Sequence, residues 1–273
     1  MSNTISLIKK DNLAYWNVDA FSWAGGVRQC LSTRLGGVSE GEALSSLNLG
    51  FGRGDTEDNV RENYEILCGA IGANPRDAVL SKQVHRDTII KVTGQMRGNG
   101  LDRPNAFLEA DGLMTNEKNI LLVVFFADCV PLLFYDPTKR AICAIHSGWR
   151  GAALQIARSG IEQMVRTYGC DPSDILACIG PSIGPCCYVV GEEVADAFGR
   201  VFANTETFLK ETNKGEYVLN LWRANEMILL RAGLLPNNIT QAKECTKCNE
   251  TLYYSHRRMG DSRGSLAAMI ELI

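Results

Sequence analysis

Asp128-Cys129-Val130-Pro131-Leu132-Leu133-Phe134-Tyr135-Asp136-Pro137-Thr138-Lys139-Arg140-Ala141-Ile142-Cys143-Ala144-Ile145-His146-Ser147-Gly148-Trp149-Arg150-Gly151 is the stretch around which the chain organises itself. Two apolar runs, residues 130–135 and 141–145, flank Asp136-Pro137-Thr138-Lys139, a connection with type I turn chemistry. The pattern predicts a β-hairpin. Tyr135 set opposite Arg140 places Cys129 opposite His146 at the open end, with Cβ atoms ~4.5–5.5 Å apart. A thiolate and an imidazole at that separation suit two ligands of one metal ion, or a nucleophile and its base.

Upstream, residues 120–127 form a continuous apolar run that predicts a buried strand delivering Asp128 and Cys129. Downstream, Ser147-Gly148-Trp149-Arg150-Gly151 turns into a helix expected over 152–168 and stopped by Gly169. Free N–H groups at such a turn, with Arg150 beside them, suit an anion; equally, the glycines serve only the turn. Residues 56–71 predict a second helix, capped by Asp55 or Thr56, with Val60, Tyr64, Leu67 and Ile71 on one face and Gly72 at its end. Further helices are expected over 192–202 and 222–232. Strands are expected over 21–23, 27–32, 78–80, 88–93, 175–179, 217–219 and 265–272, and residues 94–104 read as a surface loop. This mixture predicts an α/β fold. No linker or internal repeat divides the chain, so a single domain spanning 1–273 is expected.

A net charge of −3 and a pI near 5.7 argue against nucleic-acid or membrane-surface binding. Residues 1–12 lack a signal-peptide core and no apolar run reaches the ~20 residues of a membrane span, so a cytoplasmic location is expected. The ten cysteines are scattered through a chain of ordinary size, and most read as reduced core residues. Cys186-Cys187 lies in a Gly- and Pro-rich loop and reads as structural, because adjacent side chains rarely hold one ion. Cys245-x-x-Cys248 has the spacing of half a zinc knuckle, with no second half beside it.

The chain has three histidines. His85 sits near a strand end, and with Cys129 and His146 it would complete a three-ligand zinc site with one open position; His256 competes for the third place. Asp111 or Asp128 would move protons or orient a ligand.

Lys82-Gln83-Val84-His85, Ala110-Asp111-Gly112, Ala127-Asp128-Cys129-Val130-Pro131, His146-Ser147-Gly148-Trp149-Arg150-Gly151 and the run from Ile179 to Tyr188 together resemble the purine nucleoside phosphorylase family formerly called multicopper polyphenol oxidase or laccase-like. The resemblance extends from Thr33 to Arg258. It implies a layered α/β sandwich of mixed sheets flanked by helices, similar to the catalytic domain of cytotoxic necrotizing factors. It also implies one Zn²⁺ held by His85, Cys129 and His146, phosphorolysis of inosine, adenosine and S-methyl-5′-thioadenosine, and adenosine deamination. Within that frame Asp111, Arg34 and Arg150 are the expected catalytic residues, while Asn48, Gln83 and His256 are expected at the substrate. The partners expected are nucleosides and phosphate, on a monomer or homodimer. Ser147, Val189 and Met259 depart from the family's common residues, which are Ala, a charged residue and Asp. Three rivals stand beside this reading: a cysteine hydrolase using Cys129 and His146, a polyphenol oxidase-like activity with adventitious copper, and a non-catalytic zinc-stabilised interaction module in which Cys245 or Cys248 would be a fourth ligand. Three histidines are too few for a multicopper oxidase.

Overall fold

Alternation along the central strands sets the layers, because successive side chains of a strand face opposite sides of its sheet. The computed structural model describes residues 4–104 and 108–273, so the first three residues of the N-terminal stretch lie outside it. One sheet runs, in spatial order, β1 (Ile5–Lys10), β2 (Leu13–Val18), β3 (Val27–Ser32), β15 (Leu266–Leu272), β7 (Leu121–Phe126) and β4 (Ala78–Leu80). The other runs β14 (Ile239–Gln241), β10 (Leu176–Ile179), β8 (Val130–Asp136), β9 (Ala141–Ser147), β6 (Gly112–Thr115) and β5 (Ile89–Lys91). A small third sheet joins β11 (Val189–Gly191), β13 (Glu216–Leu219) and β12 (Leu209–Asn213).

Leu133, Tyr135, Ile142 and Ala144 of the second sheet meet Leu31, Leu122, Val124, Ala268 and Ile270 of the first, which forms the inter-sheet core. The alternate residues of the second sheet, Val130, Leu132, Phe134, Cys143 and Ile145, pack on helices. Those helices are α4 (Ile156–Tyr168) and α6 (Leu221–Arg231), with α3 (Trp149–Ala153) and α5 (Glu192–Gly199) beside them. On the far side of the first sheet, Val123, Ala267 and Met269 pack on Val60, Tyr64 and Leu67 of α2 (Glu57–Ile71). The order is therefore helix, sheet, sheet, helix, and both central sheets are covered on both faces. That is why β7, β8, β9 and β15 are apolar almost throughout. Two short helices remain, α1 (Asp19–Ala24) and α7 (His256–Met259).

The mixed α/β architecture agrees with the sequence, and so does α2: Thr56 accepts from the Asn59 N–H, and Gly72 ends the helix in the left-handed region. Three readings change. Phe21-Ser22-Trp23 lies in α1 rather than in a strand: the adjacent Ala20 and Phe21 are both buried, which the alternation of a strand with one solvated face does not give. The helix expected over 152–168 is two, broken where Gln155 takes φ 58°. The hairpin register is displaced by two residues: Asp136 pairs with Ala141 and Pro131 with His146. Asp136 remains in β8 and its Oδ1 accepts the N–H groups of Thr138 and Lys139, both at 2.8 Å, so the turn is Pro137-Thr138-Lys139-Arg140. A displacement of two preserves the face of every side chain, whereas one would have reversed it.

Candidate metal centre and active-site cleft

With that register Cys129 stands one residue before β8, and the loops carrying His85 and Cys129 meet His146 near the end of β9. His85, Cys129 and His146 place their ligand atoms within 4.8 Å of one another. The His85 and His146 rings are perpendicular, with centroids 4.8 Å apart. Gly148 makes room for this, since a Cβ there would stand 3.0 Å from Cys129 Sγ and 3.2 Å from the His85 ring.

Asp111, fully buried, organises the cluster. Its carboxylate accepts the backbone N–H groups of Val84, His85 and Arg86 at 3.1, 3.0 and 2.8 Å, holding His85 at φ 59°. Its Oδ1 also lies 2.8 Å from His146 Nδ1. A carboxylate only accepts, so Nδ1 carries the proton and Nε2 is left as the ligand atom. Burial would raise the Asp111 carboxyl, but His146 and the amides of Arg86 and Val84 outweigh it and hold the group below its ordinary value.

Asp128 is fixed from another side. Its carboxylate accepts from Thr246 Oγ1 at 2.6 Å, Ser255 Oγ at 3.1 Å and the Arg257 N–H at 2.6 Å, which sustains φ 92° at this residue. Cys129 follows directly. Burial alone would raise its thiol, yet His146 and His85 pull it well down, and the Cys129 sulfur with Asp111 pushes His146 up against its own burial. The pair favours thiolate and imidazolium, which is the charge distribution that a cation would then replace.

The cluster opens on a cleft of about 690 Å³. Phe51 and Phe125 line it, as do Arg53, Arg61 and Arg263. Burial and then the neighbouring Arg53 lower the Arg263 guanidinium, and its buried Nε has no hydrogen-bond partner. The neighbouring guanidiniums of Arg53 and Arg263, the latter with an unused buried donor, suit an anion.

The expected site residues are distributed unevenly around this centre. Gln83 lines the cleft and is clamped to the Phe125 backbone, donating to its carbonyl at 2.9 Å and accepting its N–H at 2.6 Å. Asn48 is fully buried and braces the loop through the N–H groups of Gly50 and Ser265, at 3.0 and 2.9 Å. Arg34 donates to the carbonyls of Glu42, Ser45 and Glu250 and covers the Tyr254 ring, outside the cleft lining. Arg150 lies over Trp149 and 3.7 Å from Glu193, also outside that lining. His256 is exposed, 3.7 Å from Asp261, and takes no part in the ligand cluster. Ser147 donates to Asn225 at 3.0 Å, so this departure is satisfied internally.

Arg53 and Arg263 are absent from the sequence reading. The signal for the first was a Gly-punctuated loop with no periodicity; the second lies in a polar segment before the last strand.

The fold and the cluster define a layered α/β protein with a metal-capable His-Cys-His centre in the lining of a cleft. The chain belongs to the family described as multi-copper polyphenol oxidoreductase laccase, whose model matches residues 28–273. It is 38% identical over 240 residues to purine nucleoside phosphorylase YlmD of Bacillus subtilis (strain 168), covering 88% of this chain and 86% of that one. It is 32% identical over 238 residues to adenosine deaminase RL5 of an unknown prokaryotic organism, covering 86% and 90%. The crystal structure of YlmD from Geobacillus stearothermophilus superposes with a TM-score of 0.91 at 34% identity, covering 97% of this chain and 98% of that one.

Proposed function

We propose that this chain is a zinc-dependent purine nucleoside phosphorylase acting on inosine, adenosine and S-methyl-5′-thioadenosine, and that the same centre deaminates adenosine. The observation that carries the reading is the three-ligand cluster opening directly on a cleft that also holds Arg53 and Arg263. The donor set fits the ion: two imidazoles and a thiolate suit Zn²⁺, three protein ligands are the catalytic pattern, and Asp111 orients His146 as such sites require. Zinc bound there supplies Lewis-acid chemistry and a water acidified toward neutrality.

The residues of the chain supply the rest. Phe51 and Phe125 give apolar walls for a purine, and Gln83 fixes the Phe125 backbone. Arg53 and Arg263 are positioned to hold phosphate, and we assign them the anion role expected of Arg34 and Arg150, whose side chains are engaged elsewhere. In phosphorolysis a phosphate oxygen bonds to C1′ as the glycosidic bond breaks, and the base leaves with the bonding pair and takes a proton. Alignment of the anion against C1′ is the main contribution the protein can make to that step. In deamination water adds at C6 and ammonia departs. Asp111 acts as a positioning residue, because both of its oxygens are occupied by amides and His146.

The names of the relatives, purine nucleoside phosphorylase and adenosine deaminase, support the same assignment. No helix among the described residues is long and apolar enough to cross a membrane. Zinc quantification joined to a product screen tests the proposal. Free base released from inosine only when phosphate is present, and inosine formed from adenosine without it, are the expected results. Full turnover by metal-free protein, abolished by alkylation of Cys129, would instead establish a cysteine hydrolase.

A further inference from the structure

The sequence presents Cys186-Cys187 and Cys245-x-x-Cys248 as unrelated features, with Cys245 58 positions after Cys187; the fold brings all four sulfurs within 4.8 Å of one another. Cys186 and Cys187 Sγ lie 3.5 and 3.4 Å from Cys248 Sγ. A disulfide would need ~2.05 Å. Sulfurs at the corners of a tetrahedron around zinc, each ~2.3 Å from the ion, are ~3.8 Å apart, which is the scale seen here.

We propose that Cys186, Cys187, Cys245 and Cys248 form a second metal site, a structural tetrathiolate zinc centre separate from the His-Cys-His cluster. Adjacent cysteines reach one centre because Gly184-Pro185-Cys186-Cys187 is a turn, closed by the Cys187 N–H on the Gly184 carbonyl at 3.0 Å. Glycine is required at 184: a Cβ would stand 2.7 Å from the Trp222 ring and 3.2 Å from both Cys186 Sγ and Cys245 Cβ. The Gly184 N–H donates to Cys245 Sγ at 3.2 Å, a contact that steadies a thiolate ligand. The missing half of the zinc knuckle is thus supplied by a loop far away in sequence.

Four protein ligands leave no open position, so this centre holds structure. What it holds is identifiable. Ser182 and Thr246 extend the two ligand-bearing segments into a bridge: the Thr246 N–H donates to the Ser182 carbonyl and the Ser182 N–H to the Glu244 carbonyl, both at 3.1 Å. Thr246 Oγ1 then donates to Asp128 Oδ1, and the Ile183 N–H donates to the Asp128 carbonyl at 2.9 Å. Both segments therefore grip the residue that precedes Cys129 and keep it at φ 92°. The centre fastens the turn that presents Cys129 to the cleft.

Metal content decides this independently of the nucleoside reading. Two zinc ions per chain are expected in the native protein, one in His146→Ala and one in Cys186→Ser/Cys248→Ser. Cobalt loaded into His146→Ala should show strong sulfur-to-metal charge-transfer absorption, lost when the two serines are added. Because the serine variant could fail to fold, zinc release from the native protein by a mercurial is read as well, and the second ion should appear as four thiols are consumed. One zinc per chain, removed entirely by His146→Ala, would overturn the inference. So would a native mass lower by two or four hydrogens through disulfides among these cysteines.

Discussion

His85, Cys129 and His146 offer three ligand atoms, two of them nitrogen, in the lining of a cleft; Cys186, Cys187, Cys245 and Cys248 offer four sulfurs and line no part of it. The first group is drawn from two loops and the end of β9 and is aimed by a buried carboxylate. The second joins two turns and is steadied by a backbone amide. Asp128 links them, receiving Thr246 from the all-cysteine side and passing the chain directly to Cys129. With a four-coordinate ion in each, as proposed, the first cluster would leave room for a reactant and the second would fill every position with protein, which assigns them to chemistry and structure respectively.

The sharpest way to break this comparison is His146→Ala. Nucleoside turnover should fall by more than the ~100-fold that loss of a supporting partner costs, while one zinc and cooperative unfolding remain; retained activity would refute the division of labour. Asp111→Asn comes next, with metal affinity or activity reduced ~10–100-fold, read by competition with a chelator. The same residue gives a pH signature. Its folded carboxyl lies below the ordinary value, so its stabilisation is present above pH ~4 and is lost as pH falls through the folded value. Denaturant midpoints measured down the acid range should fall in the native protein and fall less in Asp111→Asn.

Smaller effects sharpen the contrast. Arg263→Met removes one charged donor from the cleft, worth ~1.5–3 kcal/mol, so KM for phosphate should rise ~10–100-fold with zinc content unchanged. An unaltered KM would move the anion site elsewhere. Asn220→Ala removes the N-cap of α6, whose side chain accepts from the Arg223 N–H at 3.0 Å and belongs to neither cluster. A loss of ~1 kcal/mol and ~2–4 °C in Tm is expected, with turnover and both metals intact. Activity lost in parallel would show that general destabilisation, rather than either cluster, governs function.

The sequence alone was enough for the hairpin, for α2 with its Thr56 cap, and for the apolar strands of the two central sheets, because each is a local periodic pattern. It was also enough to gather Cys129, His146 and, through the family motifs, His85. Tertiary structure decided the register, since the choice between two turns of similar chemistry rested on Asp136 capping its own loop. It decided that Arg34 is occupied by backbone carbonyls, while Arg263 keeps a buried donor unused. It also joined Cys186-Cys187 to Cys245-x-x-Cys248, a pairing no spacing rule predicts. The physical reason is common to all three. Periodicity reports which face of an element is buried, but a site is a meeting of loops, and loops meet according to how the sheets pack.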